Sequence, residues 1–358
     1  MIEELDVPKA HDSIEGVAEP SASDYLTGHG EIVAFLAQAY REGRMHHALL
    51  FEGAQGVGKA TLAFHLAGHM LAFGDQTFAP ETIGMPDFSK PLWRQIAGGM
   101  HPAVLHINRP FDQKTGKFRT GIPVEEIRRV THFLTRTASD GAWRIVIVDP
   151  ADDMNRNAAN ALLKTLEEPP ARAMFILISH SSGRLLPTIR SRCQSIQFKP
   201  LGDDALTDAL EHIGPSVGLD ADGITQSLLT RSEGSVRKAL LLVAHGGLEI
   251  SNTVDAILQG QAFDLPKAQT LSGALNGREA EVQYELFRDY LMGRIADEAR
   301  RYADSGQLRE ADRWSRFWSE LVREISNAET YNLDRKQAVM ILLEKTHRAF
   351  RSGTPPLT

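Results

Sequence analysis

Gly53-Ala54-Gln55-Gly56-Val57-Gly58-Lys59-Ala60-Thr61 combines glycines and a lysine at a spacing suited to holding phosphate. Glycines let backbone N–H groups turn inward around an anion, a helix opening after them adds partial positive charge, and Lys59 can reach terminal phosphates. After that lysine a Ser or Thr hydroxyl ordinarily ligates Mg2+, but here stands Ala60. Thr61 follows one residue late, a rotation of about 100° on a helix, and cannot simply take the ligand's place. A second chemical element is Ile145-Val146-Ile147-Val148-Asp149, an apolar strand ending in an acid that can hold Mg2+ through water. ATPases of this kind follow that Asp with a Glu that polarises the attacking water; this chain has Pro150. Asp152 and Asp153 read as solvated loop acids, because a general base must sit within hydrogen-bond reach of the water. Two chemical parts are missing from one site, which favours a site that does not turn over.

These residues need a scaffold of strands ending together. Short apolar runs supply it: Ala48–Phe51, Val104–Ile107, Ile145–Val148, Met174–Ile178 and Ser195–Phe198 suit parallel strands buried on both faces. Between them Val124, Ile127, Val130, Thr131 and Leu134 fall at helical spacing behind Pro123, as do Ala159, Leu162, Leu163 and Leu166 behind a cap at Asn155. The alternation predicts a doubly wound α/β domain over residues 25–200. Residues 1–24 read as a flexible arm and 201–262 as a small helical domain. An all-α bundle is expected over 263–352, its core stripe formed by Trp314, Phe317, Trp318, Leu321, Val322 and Ile325, with a tail at 353–358.

Composition sets outer limits. With 358 residues, 42% hydrophobic and 24% charged, and a mean hydropathy of -0.24, the chain has a globular composition rather than a disordered one. The single cysteine, Cys193, excludes an intrachain disulfide and any zinc site built on two thiolates. An acidic amino terminus and the lack of a membrane-length apolar run point to the cytoplasm. A net charge of -7 supplies no global pull toward nucleic acid, and the cluster of Arg128, Arg129 and Arg136 reads best as a solvated helix face.

Asn157-Ala158-Ala159-Asn160-Ala161-Leu162-Leu163-Lys164-Thr165-Leu166-Glu167-Glu168-Pro169-Pro170 closely resembles the bacterial DNA polymerase III clamp-loader subunits, members of the AAA+ family. Leu185–Cys193 resembles their Ser-Arg-Cys element, and Leu26–His29 with Met45–Phe51 resembles the start of their AAA+ domain. The resemblance spans about residues 25–245 and thins to fragments such as Asn332–Gln337 beyond. It implies an AAA+ domain with a P-loop, a helical lid over 201–262 and a C-terminal collar that packs into a five-subunit ring with motor (gamma/tau) and delta subunits. That ring loads a sliding clamp onto primed DNA.

Motor subunits keep an intact phosphate loop and an Asp-Glu pair, whereas the delta-prime branch often has both eroded. Ala60 and Pro150 therefore point to the delta-prime branch, a ring component with no ATPase or polymerase activity of its own; the alternative is a motor-type ATPase. The resemblance assigns Arg192 as an arginine finger reaching a neighbour's ATP and Mg2+, against the alternative that it pairs with a nearby carboxylate. It also assigns nucleotide contacts to Gly53, Gly56, Gly58, Lys59, Ala60, Thr61, Asp149, Ser181 and Arg237; a solvated helix arginine is as good a reading of the last. The family's four-cysteine zinc module is missing here, Gly84–Gln95 reading as its remnant, and neither zinc nor another resident metal is expected.

Overall fold

Each of the five apolar runs becomes a strand, because a sheet covered by helices on both faces needs apolar side chains on both. In a computed structural model, which describes residues 10–135 and 142–355, the elements begin with α1 (Gly30–Arg41), β1 (Ala48–Glu52), α2 (Lys59–Ala72), α3 (Pro91–Ala97) and β2 (Val104–Ile107). A small hairpin follows, β3 (Phe111–Asp112) and β4 (Lys117–Phe118), then α4 (Val124–Thr135), β5 (Arg144–Val148), α5 (Arg156–Glu167), β6 (Ala173–Ser179), α6 (Pro187–Arg190) and β7 (Gln194–Gln197). The sheet is parallel in the order β2-β5-β6-β1-β7, which is the AAA+ arrangement.

Alternate residues of β1 serve two cores. Leu49 and Phe51 pack with Leu62, Leu66, Met70 and Ile176 on one face, and Ala48 and Leu50 with Val130, Leu162 and Phe175 on the other. As expected, Asn155 caps α5, its side chain accepting the Ala158 N–H at 2.8 Å. The parallel register of β1 on β6 and of β6 on β5 places the carboxyl ends of these three strands side by side, where ligands of open α/β sheets bind.

The chain divides into two compact units, Met1–Leu240 and Leu241–Thr358. In the first, the sheet is followed by α7 (Asp203–Ile213), α8 (Gln226–Ser232) and the start of α9 (Val236–Ala244). The second is helical: α10 (Gly247–Gln259), α11 (Leu265–Ala274), α12 (Glu281–Asp304), α13 (Leu308–Thr330) and α14 (Arg335–Ser352). The break differs from the expected boundary at 262. Val254, Ile257 and Leu258 of α10 belong to the same core as Phe287, Leu291, Trp314 and Leu343, so α10 shares the core of the bundle.

The bundle's aromatic stripe is narrower than its spacing suggested. Trp314, Phe317, Leu321 and Ile325 are buried, whereas Trp318 and Val322 are 39% and 38% exposed. At about 100° per residue, Trp318 and Val322 lie about 40° and 80° round the helix from Trp314, drifting off the buried face. The Trp314 ring meets Phe317 and Phe350 edge-on at 6.1 and 5.1 Å. Trp314→Ala should therefore destabilise the protein by about 3–5 kcal/mol, and Trp318→Ala by no more than about 0.5 kcal/mol. Urea denaturation of both variants checks this; equal losses would contradict the assigned core.

Candidate functional site

The loop between β1 and α2 turns its carbonyls toward the protein. Lys59, 3% exposed, donates its Nζ to the Gly53 carbonyl at 2.7 Å and to that of Ala54. Ser235 Oγ donates to Gln55 O at 2.8 Å, the Val236 N–H to Gly56 O at 3.0 Å, and a ring nitrogen of His29 bonds Val57 O at 2.6 Å. Such a turn needs glycine: φ is +147°, +78° and +99° at Gly53, Gly56 and Gly58. A β-carbon on Gly56 would also lie 2.3 Å from that of Arg237.

The loop borders a cavity of about 560 Å3. Asp149, at the end of β5, enters its wall, and loss of water contact together with the charge of Asp12 pushes its carboxyl up to about 7 despite nearby Lys59. Burial depresses Lys59 to about 8, opposed by the charges of Asp149 and Asp152. His106 on β2 and His180 after β6 also line the cavity, both held down to about 4, chiefly by burial.

Neither acid beyond Pro150 is a solvated loop residue. Asp152 accepts the Ser179 hydroxyl at 2.7 Å on one oxygen and the His180 and Ser181 N–H groups on the other, so it fastens the end of β6. Asp153, its side chain 8% exposed, is paired with Arg109. Carboxylates saturated in this way are poorly placed to take a proton from water.

Of the residues assigned to nucleotide, Gly56, Gly58, Lys59, Ala60, Thr61, Asp149 and Arg237 line the cavity. Gly53 does not line it, its carbonyl bonding Lys59 and its N–H the Ser179 carbonyl, and Ser181 is exposed, with His180 lining the wall in its stead. Asp12 and His106 were not singled out in the sequence and line the cavity, as do Gln55 of the phosphate loop and His180, which the resemblance places with Ser179 and Ser181 at a first sensor position. Residues 10–24, read as part of a loose arm, instead pack against the domain: Ser21 Oγ donates to Ala97 O at 3.2 Å and a ring nitrogen of His65 bonds Ser23 O at 2.8 Å. Residues 1–9 and 356–358 lie outside the described residues, as does Arg136; Arg129 is paired with Glu126 and also borders the cavity.

Arg192 lies elsewhere, just past α6. Its guanidinium pairs with Glu167 at 2.6 Å and donates to Thr188 O at 2.9 Å, and the two charged side chains are 35% and 48% exposed. An ion pair that exposed contributes only about 0–1 kcal/mol, so the arginine is released at little cost. Beside it, burial and then the charge of Glu52 push the Cys193 thiol up to about 12, which leaves it inert as a nucleophile. Among the described residues no group of three or more His, Cys, Asp and Glu is arranged to hold a metal ion, and no helix is long and apolar enough to cross a membrane.

The family profile described as "DNA polymerase III, delta subunit" matches residues 28–202. DNA polymerase III subunit delta' of Pseudomonas aeruginosa is 32% identical over 251 residues, which are 69% of this chain and 71% of that protein. The chain belongs to the DNA polymerase III delta-prime family of clamp-loader subunits. Subunit delta' of Escherichia coli is 29% identical over 279 residues, 77% of either chain. Subunit tau of Salmonella typhimurium is 30% identical over 244 residues, 67% of this chain but 36% of tau. Among solved structures, a gamma subunit-related protein of Thermotoga maritima aligns with 88% of this chain and 99% of its own at 18% identity and a TM-score of 0.37. The strand order, not that superposition, carries the fold.

The histidine at the cavity wall has a pH signature. His106 Nε2 is sealed from solvent without a hydrogen-bond partner, and burial lowers the ring from 6.5 to about 4. Between these values the unfolded chain binds more protons there, so the stability this group contributes is complete above pH 6.5 and is lost as pH falls toward 4. His106→Leu should gain stability relative to wild type as pH is lowered from 7 to 5, read from urea midpoints. A difference independent of pH would contradict the assignment.

Proposed function

We propose that this delta-prime family chain works in a clamp loader without hydrolysing ATP itself and supplies Arg192 to the ATP site of a neighbouring subunit. The observation that carries the first half is the state of Lys59. Its ammonium is satisfied by the carbonyls of Gly53 and Ala54, and the next residue, Ala60, has no hydroxyl for Mg2+. Pro150 takes the place of a catalytic carboxylate, and the nearby acids Asp152 and Asp153 are already engaged. Were nucleotide and Mg2+ to enter, Lys59 and Arg237 would face the phosphates and Asp149 the metal. Their chemistry would be charge neutralisation, with no group left to activate water.

The second half follows from exposure and chemistry. Arg192 is a planar, permanently charged fork near the surface, tied to Glu167 by a bond cheap to break, and such a fork suits the spread charge of a transferring phosphoryl group. Partners in this reading are motor and delta subunits in a five-membered ring, with the sliding clamp and primed DNA engaged through the complex. A motor-type ATPase is the second reading, favoured by the 30% identity to subunit tau. Ala60 and Pro150 weigh against it.

The purified chain should show no steady ATP hydrolysis, since loss of a general base alone typically removes about 100 to 10,000-fold. Turnover abolished by Lys59→Ala would overturn the reading. Ring assembly should survive Arg192→Ala, while DNA- and clamp-stimulated hydrolysis by the reconstituted complex falls. An arginine finger is worth about 1,000-fold or more at its own site, and other motor sites would dilute that in the total. Arg192→Lys keeps charge but loses the fork. Clamp loading at the wild-type rate by both variants would reduce Arg192 to a structural partner of Glu167.

A further inference from the structure

The amino-terminal segment lines the cavity, with Asp12, Ser13, Ile14, Val17 and Glu19 in its wall. Asp12 accepts a hydrogen bond from Gln55 of the phosphate loop at 2.9 Å on its carboxylate, and Arg237 donates to its backbone carbonyl. Burial pushes the Asp12 carboxyl up, but the positive charge of Arg237, then that of His11, and the Gln55 bond outweigh it and hold the group below its ordinary value. Its charge is felt at Asp149 just past β5, at His106 within β2 and at His180 just past β6. Asp12 lines the same cavity as Lys59, Asp149 and Arg237.

The rest of the segment is tied down on several sides. Ser13 Oγ donates to Glu19 at 2.5 Å and accepts from the Ala10 N–H at 3.0 Å, closing a compact turn. Gly16 has a φ of +79°, and a β-carbon there would lie 2.6 Å from the carbonyl oxygen of Ser216, so the chain crosses at glycine contact distance. Beyond it, Ser21 and Ser23 make the bonds to Ala97 and His65 described above.

We propose that residues 10–19 are a built-in occupant of the nucleotide pocket, with the Asp12 carboxylate standing where a terminal phosphate would sit, so that ATP or inorganic phosphate enters only when this segment leaves. The chemistry is competitive. A carboxylate and a phosphate are both oxygen anions that take N–H donors and an arginine charge, and a phosphate placed beside Asp12 and Asp149 together would face two like charges. The proposal rests on reading Gly53–Lys59 as a phosphate loop and not on whether this chain hydrolyses ATP.

The test uses the full-length chain with two substitutions that loosen the segment at separate points. Asp12→Ala removes the internal anion, and Gly16→Val cannot adopt the crossing at Ser216 without strain. Calorimetry with ATP, and separately with inorganic phosphate, should show at least tenfold tighter binding by each variant than by wild type. Hydrogen exchange on the wild-type chain supplies a readout independent of the variants. The amides of Ser13 and Val17, bonded to Ala10 O and Ile14 O, should be protected in the free protein and lose protection at saturating ATP. Unchanged affinity in variants whose segment exchanges freely, or protection at Ser13 and Val17 that survives saturating ATP, would overturn the proposal and leave the non-hydrolysing reading standing. Steady ATP hydrolysis by Asp12→Ala would do the reverse.

Discussion

A lysine ammonium almost cut off from water has to be surrounded by oxygen, and the phosphate loop of this protein is arranged around that requirement. Lys59 opens α2 at the mouth of the loop, and its donors go to the carbonyls of Gly53 and Ala54. Those carbonyls can point at it because Gly53 and Gly58 adopt backbone conformations closed to most side chains. The remaining carbonyls are then held by Ser235, Val236 and His29, which ties the start of α9 and the residue before α1 to the same turn.

The same economy of charge recurs around the cavity. Asp149, pushed up to about 7, faces Lys59, Asp152 is consumed in fastening the end of β6, and Asp153 holds Arg109. Asp12 meets Gln55 and Arg237. Lys59, Asp152, Asp153 and Asp12 are thus partnered within the chain, whereas in the proposed reading Arg192 gives up only a half-exposed ion pair to act on a neighbour. In the proposed reading, a subunit built this way contributes to chemistry through its surface rather than through its own cavity.

The sheet was legible in the sequence because burial on both faces leaves continuous apolar runs, and the loop at Gly53 because its glycines answer a backbone requirement. The bundle stripe was over-read: Trp318 and Val322 fit the helical period loosely, and periodicity does not say where the buried arc stops. Asp152 looked solvated because its partners lie 27 to 29 residues further along, at the end of another strand. Asp12 gave no signal, its contact with Gln55 spanning 43 residues and starting in a stretch with no sustained apolar pattern. Arg192 was found through a motif, but its ion pair with Glu167 depends on how α5 ends beside α6, which spacing alone does not reveal.

The central claim is that this chain's own phosphate loop does no work in the assembled clamp loader, and Lys59→Met addresses it most directly, removing the ammonium while keeping the length of the side chain. In a reconstituted complex carrying this variant, the rates of clamp loading and of DNA-stimulated ATP hydrolysis should stay within about twofold of wild type, a change in barrier under about 0.5 kcal/mol. A fall of tenfold or more, with assembly intact, would show that the loop is a working ATP site and would contradict the account.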